Sequence, residues 1–100
     1  MPLTIRLETE NGTSLGEVFD LQDTITQLSE RVPAGTLEIS HTIDPYGNTV
    51  VNRRQLPLLL RDLERLRLLA APSDTVLRSV EELAKRFQED HHLYLKFYGD

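Results

Sequence analysis

Cysteine is absent from this 100-residue sequence, which removes disulfides, thiolate nucleophiles and thiolate metal sites together and gives no sign of an oxidising compartment. No run approaches the roughly 18 apolar residues of a membrane span, and the opening "MPLTIRLETE" has neither the basic start nor the apolar core of a secretion signal. The expected location is the cytoplasm. The five glycines are scattered and satisfy neither the dinucleotide nor the phosphate-loop pattern, while no Gly-x-Ser-x-Gly elbow presents a nucleophile. Basic residues are scarce in the first half: residues 1–50 hold two against eight acidic ones, net −6, whereas residues 51–100 hold nine against eight, net +1. The resulting −5 disfavours general binding to nucleic acid or to an anionic membrane, because like charge opposes the encounter. The acidic half would suit a basic partner.

What is present is enough for one domain spanning residues 1–100, since a chain of this length buries well over half of its unfolded surface. With 39 % hydrophobic and 27 % charged residues, the composition is that of an ordinary globular chain. "LTIRLET" alternates strictly, Leu3, Ile5 and Leu7 against Thr4, Arg6 and Glu8, as a half-buried strand does. Asn11-Gly12 is a hairpin signal; Asn11-Gly12-Thr13 is read as a turn, not a glycosylation site. "LGEVFD" follows as the return strand. Asp20 can cap a helix whose stripe is Leu21, Ile25, Leu28 and Val32, ended by "PAG".

"TLEISHTI" alternates again, Leu37, Ile39, His41 and Ile43 against Glu38, Ser40 and Thr42, and predicts a third strand. "TVVN" predicts a fourth. The period then becomes helical, with Leu56, Leu59, Leu60, Leu63, Leu66 and Leu69 in one stripe; Asn52 and Gln55 resemble a capping box, and Pro57 fits best within the first turn. After "APSD", where Ser73 or Asp74 can cap, a third helix carries Leu77, Val80, Leu83, Ala84 and Phe87. "HLYLKFY" closes the order as an alternating strand. The expected fold is a two-layer α+β domain of order ββαββααβ, with an antiparallel or mixed sheet and three helices on one face.

Candidate chemistry is thin. "QEDHH" offers carboxylates and imidazoles, but His91 and His92 are adjacent and cannot easily grip one ion, so His91 is read as a helix-end residue. His41 falls on the apolar parity of its strand and reads as a core or rim histidine; an enzyme would have to be built around His41, Asp44 and Tyr46. No catalytic, metal or cofactor residue is assigned, and the expectation is a non-enzymatic protein without a cofactor. Five of the nine arginines lie within residues 53–67. Arg54, Arg61 and Arg65 fall at helical offsets, as a solvated face, a dock for an acidic protein, or the surface of a nucleic-acid-associated regulator.

The last strand is more pointed: with Leu93, Leu95 and Phe97 inward, His92, Tyr94, Lys96 and Tyr98 look outward onto a sheet face that no helix is left to cover. Thr4, Arg6, Glu38, Ser40 and Thr42 are expected beside them. Tyrosine is a favoured interface residue. In "DPYGN", Asp44, Pro45 and Gly47 are turn chemistry, with Gly47 in a conformation closed to most residues. Tyr46 has no evident structural duty.

"DPYGNTVVN" and "HLYLKFYGD" resemble a group of short uncharacterised bacterial proteins, a resemblance that implies no activity. Size and acidity are also similar to those of bacterial immunity proteins, which implies binding and neutralising a partner toxin. The expected function is a small acidic protein-interaction or inhibitor domain that binds a protein partner or a second copy through Tyr46, Tyr94, Lys96 and Tyr98, or through Arg54, Arg61 and Arg65. A nucleic-acid-associated regulator and a protein with a small-ligand site are the alternatives.

Overall fold

The alternation of "LTIRLET" becomes strand β1 (Leu3–Thr9), whose Leu3, Ile5 and Leu7 are buried while Thr4 and Arg6 are only half-buried. The structure, a computed structural model, describes residues 3–20, 24–44, 46–70, 75–88 and 92–99. Leu21, Pro45, Ser73, Asp74 and His91, to which the sequence assigns a stripe, a turn, caps and a helix end, lie outside the described residues. At the Asn-Gly turn, Gly12 has φ +87° and its N–H donates to Thr9 O at 3.0 Å. The chain then returns as β2 (Ser14–Asp20). A bulge at Leu15 lies between the pairs Leu7↔Gly16 and Glu8↔Ser14.

Helix α1 (Thr24–Glu30) buries Ile25 and Leu28. Its first amides, Thr24 N–H and Ile25 N–H, donate to the buried Asp20 carboxylate at 2.8 and 3.0 Å. Strand β3 (Asn48–Val51) leads into α2 (Leu56–Arg67), then come α3 (Val76–Gln88) and β4 (Leu93–Tyr98). The Asn52–Gln55 box is reciprocal, each amide donating to the other side chain at 2.9 and 3.0 Å, and Pro57 sits in the first turn of α2, where its missing N–H costs nothing.

The fold is α+β: one four-stranded antiparallel sheet in the order β2-β1-β4-β3, with three helices packed against one face. Leu3, Ile5 and Leu7 of β1 and Leu93, Leu95 and Phe97 of β4 meet Leu59, Leu63 and Leu66 of α2 and Leu77, Val80 and Phe87 of α3 in one core. Of the expected α2 stripe, Leu60 is half-buried and Leu69 exposed.

The segment expected as the third strand is a 3₁₀ turn, Ser40–Thr42, entered from an irregular stretch. The cause is a carboxylate distant in sequence. Asp62, fully buried on α2, accepts the N–H groups of Glu38, Ile39 and Ser40 at 2.8, 2.8 and 2.7 Å. Amides gathered around one acceptor cannot also donate to a neighbouring strand. Thr42 N–H and Ile43 N–H then turn back onto Ile39 O and Ser40 O. Leu37 and Ile39 remain buried, as the alternation requires, but His41 is exposed, and Glu38, Ser40 and Thr42 do not share the open sheet face.

Candidate interaction surface

Register places the outward residues of the sheet in rows. Phe19, Thr4, Tyr98 and Asn48 lie side by side across the four strands, and Glu17, Arg6, Lys96 and Val50 form the next row. Tyr94 stands opposite Glu8. Tyr94, Lys96 and Tyr98 are thus brought together as the alternation of β4 implies, and all three are half-buried.

The centre of this face is internally neutralised. Tyr98 OH donates to Glu8 Oε2, Lys96 Nζ lies 3.2 Å from Glu8 Oε1, and Arg6 Nε lies 2.7 Å from Glu17 Oε1. The Arg6 guanidinium also sits 5.4 Å from the Tyr98 ring centroid, within cation–π range. Glu8 is only 3 % exposed although none of the described helices covers it, because its neighbours' side chains close over it. Burial alone would raise its pKa; the Tyr98 hydrogen bond and the Lys96 and Arg6 charges outweigh that and hold it below the usual carboxylate value. The same hydrogen bond, then burial, pushes the Tyr98 hydroxyl above its ordinary value.

Around this paired centre the exposed apolar groups stand at the flanks: Phe19 on edge strand β2 is 58 % exposed and Val50 on edge strand β3 is 49 % exposed. Sequence reasoning passed over both. For Phe19 the signal was available, since Leu3↔Asp20 and Ile5↔Val18 give the inward parity of β2 once the hairpin register is fixed.

The other candidates lie elsewhere. Tyr46 is 72 % exposed at the turn before β3. There Asp44 carboxylate accepts Tyr46 N–H at 2.8 Å. Gly47 needs no left-handed backbone, contrary to the expectation; a Cβ there would meet Asp44 Oδ2 at 2.7 Å, so the constraint is space. The arginines do not form one free face. Arg54 is exposed in the turn before α2, Arg61 Nε pairs with Glu38 Oε2 at 2.9 Å, and Arg65 Nη1 donates to Thr36 O at 3.0 Å and reaches Asp62 at 3.4 Å. Arg61 and Arg65 serve the segment that Asp62 organises.

His41 stands at the rim of a cleft of about 300 Å³ between α1 and the 3₁₀ turn, with Thr26, Ser29 and Glu30. A second hollow, about 470 Å³, runs between β2 and α3. Among the described residues, no three histidine or carboxylate side chains gather as a metal site would require, and no helix is long and apolar enough to cross a membrane.

Fold and surface together define a two-layer α+β domain in which one sheet face is covered by none of the described helices and is neutral at its centre. No protein-family model, no curated protein and no solved structure matches this chain.

Proposed function

We propose that this chain is a small, non-enzymatic protein-interaction domain that binds another protein through the open face of its sheet, a bacterial immunity or inhibitor protein being one concrete version. The observation that carries the reading is the exposure of Phe19 and Val50 on either side of a charged centre that is already paired. A partner covering this face buries apolar area at the flanks without stranding an unpaired charge in the middle, the costly error in an interface. Tyr94 and Tyr98 add amphipathic rings between the flanks.

The test compares the wild-type chain with Phe19→Ser/Val50→Ser as bait in the native host's extract, with retained proteins quantified by mass spectrometry. Both positions are exposed, so the melting temperature stays within a few degrees. A protein held by the wild type and lost from the variant supports the reading. The same proteins retained by both would remove the open face from the function.

A further inference from the structure

The cleft at His41 lies between two segments that the fold anchors separately. On one side, α1 is held by the buried Asp20 carboxylate, which accepts the Thr24 and Ile25 N–H groups. On the other, the 3₁₀ turn Ser40–Thr42 is held by Asp62 of α2 through the Ile39 and Ser40 N–H groups. Each wall has its own anchor, so the gap between them is preformed. Its volume of about 300 Å³ is at the small end of the range for pockets that hold small molecules.

The lining joins apolar surface to hydrogen-bond acceptors. Ile25, which is buried, and Ile43, which is half-buried, supply the apolar part. Thr26 and Ser29 supply hydroxyls; Ser29 Oγ already donates to Ile25 O at 2.7 Å, which leaves its oxygen free to accept. Glu30 and His41, both exposed, stand at the mouth. Glu30 enters no ion pair among the described residues. The described residues of the lining include no lysine or arginine, and Arg31, next in sequence to Glu30, is not part of it.

We infer that this cleft binds a small organic ammonium compound. Its cationic head, which has three N–H donors and no acceptor, pairs with the Glu30 carboxylate and the Ser29 oxygen, while its hydrocarbon body lies on Ile25 and Ile43. An anion is excluded by charge, because it would meet Glu30 at the mouth with no cation in the lining to receive it. None of the lining residues belongs to the sheet. The inference is therefore independent of the protein-binding reading of the open face.

The test titrates the full, nitrogen-15-labelled chain with phenethylamine and follows amide shifts by nuclear magnetic resonance. Four comparison ligands accompany it: 2-phenylethanol and 3-phenylpropionate, which keep the body and change the charge; methylamine, which keeps the charge and loses the body; and end-capped lysine. Saturable shifts concentrated in residues 25–30 and 40–43 are expected for phenethylamine, with a dissociation constant of about 1 mM for so few atoms. Phenylethanol should bind at least about threefold more weakly, and methylamine and phenylpropionate should not saturate. Glu30→Gln, at an exposed position, should weaken phenethylamine about three- to fivefold. No saturable binding, shifts centred elsewhere, equal binding of the alcohol or the carboxylate, or indifference to Glu30→Gln overturns the inference. Tighter binding of end-capped lysine than of phenethylamine also overturns it, since the occupant is then a side chain of another protein.

Discussion

The carboxylate of Asp62 should be among the most consequential polar groups in the molecule. It is fully buried, accepts three backbone N–H groups between 2.7 and 2.8 Å, and is approached by Arg65 at 3.4 Å. Alanine at this position would leave three amides without a partner, each costing about 1–3 kcal/mol when buried. Some would regain water through the vacated space, so roughly 3–6 kcal/mol is the expected loss, against a total stability of about 5–15 kcal/mol for a typical domain.

Because Asp62→Ala could unfold the chain outright, the informative variant is Asp62→Asn. It keeps one acceptor oxygen of the same shape but turns an NH2 group towards amides it cannot accept from. The expected loss is about 2–3 kcal/mol. Urea unfolding followed by circular dichroism reads this directly: with a slope of about 1.5 kcal/mol per molar, the midpoint falls by roughly 1.3–2 M. Burial alone would raise the Asp62 pKa; the amides outweigh it and hold the pKa below the ordinary 3.8. A carboxylate depressed in the folded state stabilises it fully above the unfolded-state value and progressively less as pH falls below it. Stability of the wild type should therefore decline below about pH 4, and Asp62→Asn should show a shallower acid limb. A midpoint for Asp62→Asn within about 0.3 M of wild type would refute the claim that this carboxylate organises residues 38–40.

Three further outcomes follow from the same reasoning. Asp20→Ala removes the acceptor of the first two α1 amides and should cost about 1–2 kcal/mol, with hydrogen exchange quickened in Thr24–Glu30 more than elsewhere. Tyr98→Phe should remove the high-pH end of the ultraviolet tyrosinate titration. The Tyr98 pKa is raised, so its hydrogen bond to Glu8 stabilises the fold below about pH 10 and is lost as pH climbs through the folded-state value. Gly12→Ala places a Cβ at φ +87° and should lower stability by about 1 kcal/mol, read as a lower urea midpoint with unchanged slope.

The elements legible in the sequence were those whose pattern is local. β1, α3 and β4 carry unbroken periodicity, and every residue named for their buried faces is buried. The failure at 37–43 was of another kind: Leu37, Ile39 and Ile43 do alternate, but what decides the backbone there is an acceptor on α2 more than twenty positions away. A trace of it was present. Asp62 sits between Leu59 and Leu63 on the apolar side of α2, where a solvated carboxylate has no place, and an acid in such a stripe asks for donors. On the open face, β4 alone announced Tyr94, Lys96 and Tyr98. Burial of Glu8 and exposure of Phe19 and Val50 depend on which strands stand beside it, and that order is set by pairings far apart in the chain.

The position of β4 between β1 and β3 has a consequence for how the sheet holds together. β1 and β2 are a hairpin that closes over a short turn, but among the described residues β3 touches the sheet only through β4, which is the last of the four strands along the chain. The sheet is therefore two pieces with a single clasp. Loosening β4 would leave the hairpin intact while β3 lost every backbone partner it has in the sheet, so β3 and β4 should open together. β1↔β4 is also a closure across most of the chain, the kind of pairing that folds slowly. Until that clasp shuts, the hairpin presents two open edges, and the acidic strand β2 is only one of them.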